Sequence, residues 1–146
     1  MPTRTARTAW NGSLETGEGQ VELSSSKIGT YDVSFPKRAA DDANGFTSPE
    51  ELLAAAHSAC YAMQFSAVLG AAGGTVEALD VKADVTLGAD GNGGFELKNI
   101  HLTVRGEVSG IDAAAFDKAA NDAKVGCPVS KALTGVEITL DAALEA

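Results

Sequence analysis

Two cysteines, Cys60 and Cys127, are the residues of this chain best suited to chemistry, and their surroundings differ. Cys60 lies within residues 52–76, where no side chain is charged. A thiol buried in such a run has a raised pKa and stays inert unless a cation stands close. Cys127 sits between Gly126 and Pro128, at a helix start, where oriented N–H groups favour a thiolate. The plain reading of Cys60 is a small apolar filler. The second cysteine and nearby ionic groups argue instead for redox or nucleophilic chemistry.

Arg38 is the candidate cation, because a guanidinium fork can hold a thiolate and an adjacent carboxylate together. Glu50 is the candidate carboxylate, although its place also suits an ordinary acid at the positive end of a helix. His57, one turn before Cys60, makes a Cys/His pair conceivable. That spacing constrains the approach poorly, and neither His101 nor a third orienting group stands nearby in the sequence. The Cys and His residues lack C-x-x-C or H-x-x-x-H spacing, so no metal site is expected. The glycines of GAAGG follow a helix rather than a strand, so no phosphate cradle and no cofactor is implied.

The element that must position these groups runs through TSPEELLAAAHSACYAMQFSAVLGAAGG, residues 47–74. Ser48 is a good N-cap, Pro49 suits a first helical position, and Glu50 and Glu51 complement the dipole. Gly70, Gly73 and Gly74 can supply the left-handed residue that closes a helix. The absence of a charged face predicts a buried central helix, covered nearly all round by protein. A membrane span is the competing reading; Ala richness, His57, Ser58, Gln64 and Ser66, and the lack of close flanking Lys or Arg, argue against it. Ten helical residues put Glu50 and Cys60 roughly 15 Å apart along the axis. They cannot meet within one chain, but two such helices crossing antiparallel about a two-fold axis would bring Glu50 of one copy towards Cys60 of the other.

Before the helix, Trp10, Val21, Leu23, Tyr31, Val33 and Phe35 alternate between turn signals and predict three short strands, followed by a loop over residues 36–46. After it, Val81 to Leu87 alternate as a half-buried strand. Apolar positions then shift from odd (Phe95, Leu97) to even (Ile100, Leu102, Val104), which places a bulge near Lys98 and Asn99 or starts the strand later. A second helix is expected from Ile111, capped by Asp112, with Phe116, Ala119, Ala120 and Ala123 on one face. A further helical turn follows from Cys127–Pro128 to Leu133, and the last strand carries Val136 to Leu144. The order β-β-β-α-β-β-α-β is that of an α+β fold with antiparallel sheets.

The 146 residues suit one domain. With only 5% aromatic residues, each side chain buries little area, so part of the core is expected to form with a second copy, as a homodimer. A net charge of −9 excludes nucleic acid as a natural partner. No apolar leader follows the basic N-terminus, which gives a cytoplasmic expectation with both cysteines reduced at rest.

SPEELLAAAHSACYAM, the downstream KVGCPVSKAL, the preceding Arg38 and the terminal VEITLDAAL resemble the OsmC/Ohr family of thiol-dependent hydroperoxide peroxidases over nearly the whole chain. The AAAHSAC and GCPVS wording is more similar to the OsmC branch. The resemblance implies a single OsmC-like domain over residues 1–146 in an intertwined homodimer with sites at the subunit interface. It also implies that Cys60 is the peroxidatic and Cys127 the resolving cysteine, and that Arg38 and Glu50 activate the peroxidatic thiol. The substrate implied is an organic hydroperoxide, and the reductant a dithiol of the dihydrolipoyl type. A pocket lined by Leu, Met63 and Phe65 would favour an alkyl group. Two other readings stay open: a thiol redox sensor using the same pair, and a non-catalytic small-ligand-binding stress protein.

Overall fold

A computed structural model describes residues 1–145 and divides into two compact units, one over Met1–Leu52 and one from Leu53 onward. In the first unit, strands β1 (Arg7–Asn11), β2 (Glu18–Glu22) and β3 (Thr30–Val33) form an antiparallel sheet in that order. Trp10 stands opposite Gly19, where any Cβ would come within 2.9 Å of the indole ring, so a side chain there would displace the tryptophan. The stretch expected to be a loop opens with a short helix, α1 (Phe35–Arg38). Ser34 caps it by accepting from the Lys37 amide, and proline in the first turn presets the backbone. That signal was present in the sequence as Ser-Phe-Pro.

Helix α2 (Pro49–Ala71) starts where expected. The Ser48 hydroxyl accepts from the Glu51 amide at 3.1 Å, and the Thr47 hydroxyl donates to the Glu51 carboxylate at 2.6 Å. Gly73, at φ 90°, ends it with the Gly74 amide reaching back to the Leu69 carbonyl at 2.9 Å. The length and hydropathy of α2 would let it cross a membrane, but its buried residues mark a core helix. His57, Tyr61, Phe65 and Leu69 form a fully buried stripe at four-residue spacing. Within one chain the cover is this stripe, not the full sheath expected: Ala55, Ala56, Ala59, Met63, Ser66 and Ala67 are exposed.

In the second unit, β4 (Thr75–Ala89), β5 (Phe95–Ser109) and β6 (Glu137–Glu145) form a sheet in that order. Hairpin partners β4 and β5 are antiparallel, whereas β5 and β6 are parallel, so this sheet is mixed rather than antiparallel throughout. The reason is the connection: α3 (Ala113–Gly126) and α4 (Pro128–Ala132) carry the chain back to the end of the sheet where β5 starts before β6 begins. The bulge falls on Lys98, skipped between the pairs Thr86–Asn99 and Leu87–Leu97. Beyond it Ile100, Leu102, Val104 and Val108 point into the core with Tyr61, Phe65, Leu69 and Phe116. Gly106 continues that inward row because the Phe116 ring lies where its Cβ would be, at 2.7 Å. Asp112 caps α3 through the Ala115 amide, and Phe116, Ala119, Ala120 and Ala123 are its buried residues, as expected.

Candidate functional site

Arg38 occupies the last turn of α1 and Glu50 the first turn of α2, both in the first unit. The Arg38 Nε lies 3.0 and 3.1 Å from the two Glu50 oxygens, and one terminal nitrogen lies 2.6 Å from Oε1. Glu50 is 8% exposed. A carboxylate so enclosed needs a partner, and the bidentate fork supplies it in fixed orientation. Beside this pair the first unit holds a half-open cavity of about 340 Å³. Its walls include Trp10, Leu14, Val33, Phe35 and Leu52, with Arg38 at one side.

The second unit holds the sulfur pair. Cys60 is half-buried on α2 and Cys127 is fully buried between α3 and α4; both are free thiols. The proline after Cys127 holds that residue extended, at φ −60° and ψ 123°, which ends one helix and starts the next. The two sulfurs are near enough for each to shift the other's acidity. Burial is the largest influence on Cys60 and pushes its thiol up; the Val129 amide opposes this and the neighbouring Cys127 adds to it. Burial would also raise Cys127, but the Ser130 amide, the Cys60 S–H, the Ser130 hydroxyl and the Val129 amide together bring it below the ordinary thiol value. The Cys127 side chain makes no capping hydrogen bond to α4. Within this unit burial holds the Cys60 thiol above its ordinary value, so nothing in its own surroundings activates it.

His57 has the third orienting group that sequence proximity did not reveal. Its Nε2 lies 2.7 Å from the Oγ of Ser130, seventy-three residues later, and both residues are buried. Burial lowers the pKa of His57, so the ring is neutral at physiological pH. Its Nδ1 is buried with no partner among the described residues. Ser130 was legible only as a serine one helical turn after Cys127, on the same face. Phe65, expected to line a substrate pocket, is instead sealed in the core with ring centroids 5.5 Å from Tyr61 and 5.1 Å from Phe116. Met63 is 74% exposed. Among the described residues no group of three or more His, Cys, Asp or Glu is placed to hold a metal ion.

The family model described as OsmC-like protein matches residues 41–141, a span that includes Glu50, both cysteines, His57 and Ser130. The chain belongs to the OsmC-like family. This OsmC-like chain is 41% identical, over 90% of its own length and 90% of the relative's, to the protein named peroxiredoxin OsmC from Escherichia coli strain K12. Among solved structures, an organic hydroperoxide resistance protein from Elizabethkingia anophelis superposes with a TM-score of 0.78 at 26% identity, covering 99% of this chain and 98% of that one. The organic hydroperoxide resistance protein OhrB of Bacillus subtilis gives 0.71 at 24% identity, covering 97% and 98%. At that identity the second comparison bears on the fold alone. The OsmC-like fold thus combines the antiparallel and the mixed sheet with α2 as its central helix.

Proposed function

We propose that this chain is a cysteine-based peroxidase that reduces organic hydroperoxides to alcohols. The observation that carries the reading is the presence of two free cysteines, Cys60 and Cys127, in one compact unit, in a chain whose relative is named a peroxiredoxin. Cys60 attacks the outer peroxide oxygen as a thiolate, the alkoxide leaves and is protonated to the alcohol, and Cys60 becomes a sulfenic acid. Cys127 displaces hydroxide from that sulfur, giving a disulfide and water. An external dithiol of the dihydrolipoyl type then reduces the disulfide by two exchanges.

The raised acidity threshold of Cys60 within its own unit means that ionisation must be supplied from elsewhere. Arg38, oriented by Glu50, is assigned that role. Ten residues of helix between Glu50 and Cys60 favour supply from a second copy, so the working unit is read as a homodimer whose residues 1–146 act as one functional domain. The exposed apolar face of α2, with Ala59, Met63 and Ala67, gives the second copy a surface to cover. The apolar cavity beside Arg38 supports an alkyl rather than a bare hydrogen peroxide substrate. A cytoplasmic location, where a dithiol pool is at hand, fits this cycle.

The test is a thiol count before and after an equimolar dose of an alkyl hydroperoxide. Loss of both thiols, restored by dihydrolipoamide with continued turnover, is the expected result. Retention of both thiols would remove the proposal, and a single cycle without turnover would favour a redox sensor.

A further inference from the structure

Trp10 is the sole tryptophan of the chain, and β1 holds it 41% exposed. Leu14, beside it in the wall of the first unit's cavity, is exposed as well. Large apolar side chains kept open to water on a rigid support mark a surface made for a ligand. The support here is backbone. The six-membered ring of the indole spans Gly17 and Gly19, both buried, where an added Cβ would stand 2.9 Å from Cζ2 at the first and 2.9 Å from Cε3 at the second. Nε1 donates to the Gly12 carbonyl at 3.0 Å, which stops the ring from turning. The turn that carries Leu14 is locked too: the Gly17 amide donates to the Ser13 carbonyl at 2.8 Å, and the Thr16 amide to the Ser13 hydroxyl at 3.1 Å.

Size and charge narrow what the cavity takes. Its volume of about 340 Å³ holds roughly eleven non-hydrogen atoms at about 30 Å³ each. Arg38, the one cation in its wall, is balanced by Glu50, so a neutral oxygen suits that side better than a carboxylate. A linear chain of this size must freeze a rotor at nearly every carbon. An aryl group brings comparable apolar area already rigid, and it gains a ring contact with the indole.

We propose that Trp10 is the specificity-determining residue of this cavity, and that it selects an aryl group, the ring of an arylalkyl hydroperoxide and of the alcohol formed from it. The inference rests on the peroxidase reading for the reaction, while the binding step stands on the cavity alone. Without Trp10 the apolar lining of Leu14, Phe35 and Leu52 remains, so discrimination is lost rather than all binding.

The emission of a sole tryptophan reports binding without any turnover. The wild type is titrated with 2-phenyl-2-propanol and with 1-nonanol, alcohols with equal numbers of non-hydrogen atoms, and calorimetry repeats both titrations on Trp10→Leu, Trp10→Phe and Gly19→Ala. The aryl alcohol is expected to change Trp10 emission saturably and to bind about tenfold more tightly than 1-nonanol. In Trp10→Leu the two affinities should come within about twofold, whereas Trp10→Phe, which keeps a ring, should retain the preference. Gly19→Ala pushes the indole off its support without removing it and should also lose the preference. Emission unmoved by the aryl alcohol, equal affinities in the wild type, or a preference undiminished in Trp10→Leu overturns the assignment. A wild type that binds the aryl alcohol at Trp10 yet leaves cumene hydroperoxide intact breaks the peroxidase reading alone; one that consumes hydroperoxides with no aryl preference breaks this assignment alone.

Discussion

Arg38 and Glu50 meet as fork and carboxylate, with Nε within 3.1 Å of both carboxylate oxygens and a terminal nitrogen 2.6 Å from Oε1. The short helix α1 exists to deliver this contact. Its Ser34 cap and early proline fix a single turn, and that turn ends on the arginine. Thr47 holds Glu51 and so leaves Glu50, one residue earlier, to the guanidinium.

Replacing the fork by a point charge separates geometry from charge. Arg38→Lys is expected to slow oxidation of Cys60 about ten- to a hundredfold, or roughly 1.4–2.7 kcal/mol of barrier, with little change in stability. Arg38→Ala strands the Glu50 carboxylate and should cost about 1–3 kcal/mol in urea unfolding. That figure lies below the cost of a fully buried pair because the Arg38 side chain is 31% exposed. Stopped-flow oxidation and denaturation curves on the same samples check both.

His57 makes the reduced chain sensitive to acid. Its folded pKa lies below the ordinary value of 6.5 because burial disfavours the imidazolium. As pH falls through about 6.5 the unfolded chain takes up this proton before the folded one does, so stability drops with falling pH until the folded pKa is passed. Above 6.5 the contribution is flat. In unfolding series from neutral to acid pH, the wild type should lose stability faster than His57→Gln; parallel curves would contradict the burial argument.

Phe65 of α2 packs its ring against Phe116 of α3 in the core. Phe65→Ala removes both ring contacts, to Tyr61 and Phe116, from a site with no solvent access. The expected loss is about 3–5 kcal/mol, read from chemical denaturation, with the cysteine pair still able to form a disulfide in the molecules that remain folded.

These elements differ in how far the sequence disclosed them. Ser48, Pro49 and Gly73 bracket α2, and Asp112 with Phe116 and three alanines marks α3, because caps and helical periodicity act locally. The shift of apolar parity around Lys98 allowed a bulge or a later strand start, and the structure has the bulge, with β5 running from Phe95. The parallel β5–β6 pairing was not legible, because it depends on where the α3–α4 crossover returns the chain. In the site, residue types pointed to Cys60, Cys127, Arg38 and Glu50, and the pairing of Arg38 with Glu50 is present. Ser130 escaped notice because its bond to His57 spans seventy-three positions and follows from tertiary packing alone. The pKa of Cys127, raised by burial and lowered most by the Ser130 amide, likewise depends on neighbours that only the fold assembles.

The most direct measurement of the central claim is a dithiol-coupled alkyl hydroperoxide assay on the wild type, Cys60→Ser and Cys127→Ser, with dimedone trapping of sulfenic acid. Cys60→Ser should neither trap dimedone nor turn over, while Cys127→Ser should trap it once at Cys60 and then stall. Undiminished turnover in Cys60→Ser, or dimedone found on Cys127 with Cys60 unmodified, would contradict the account.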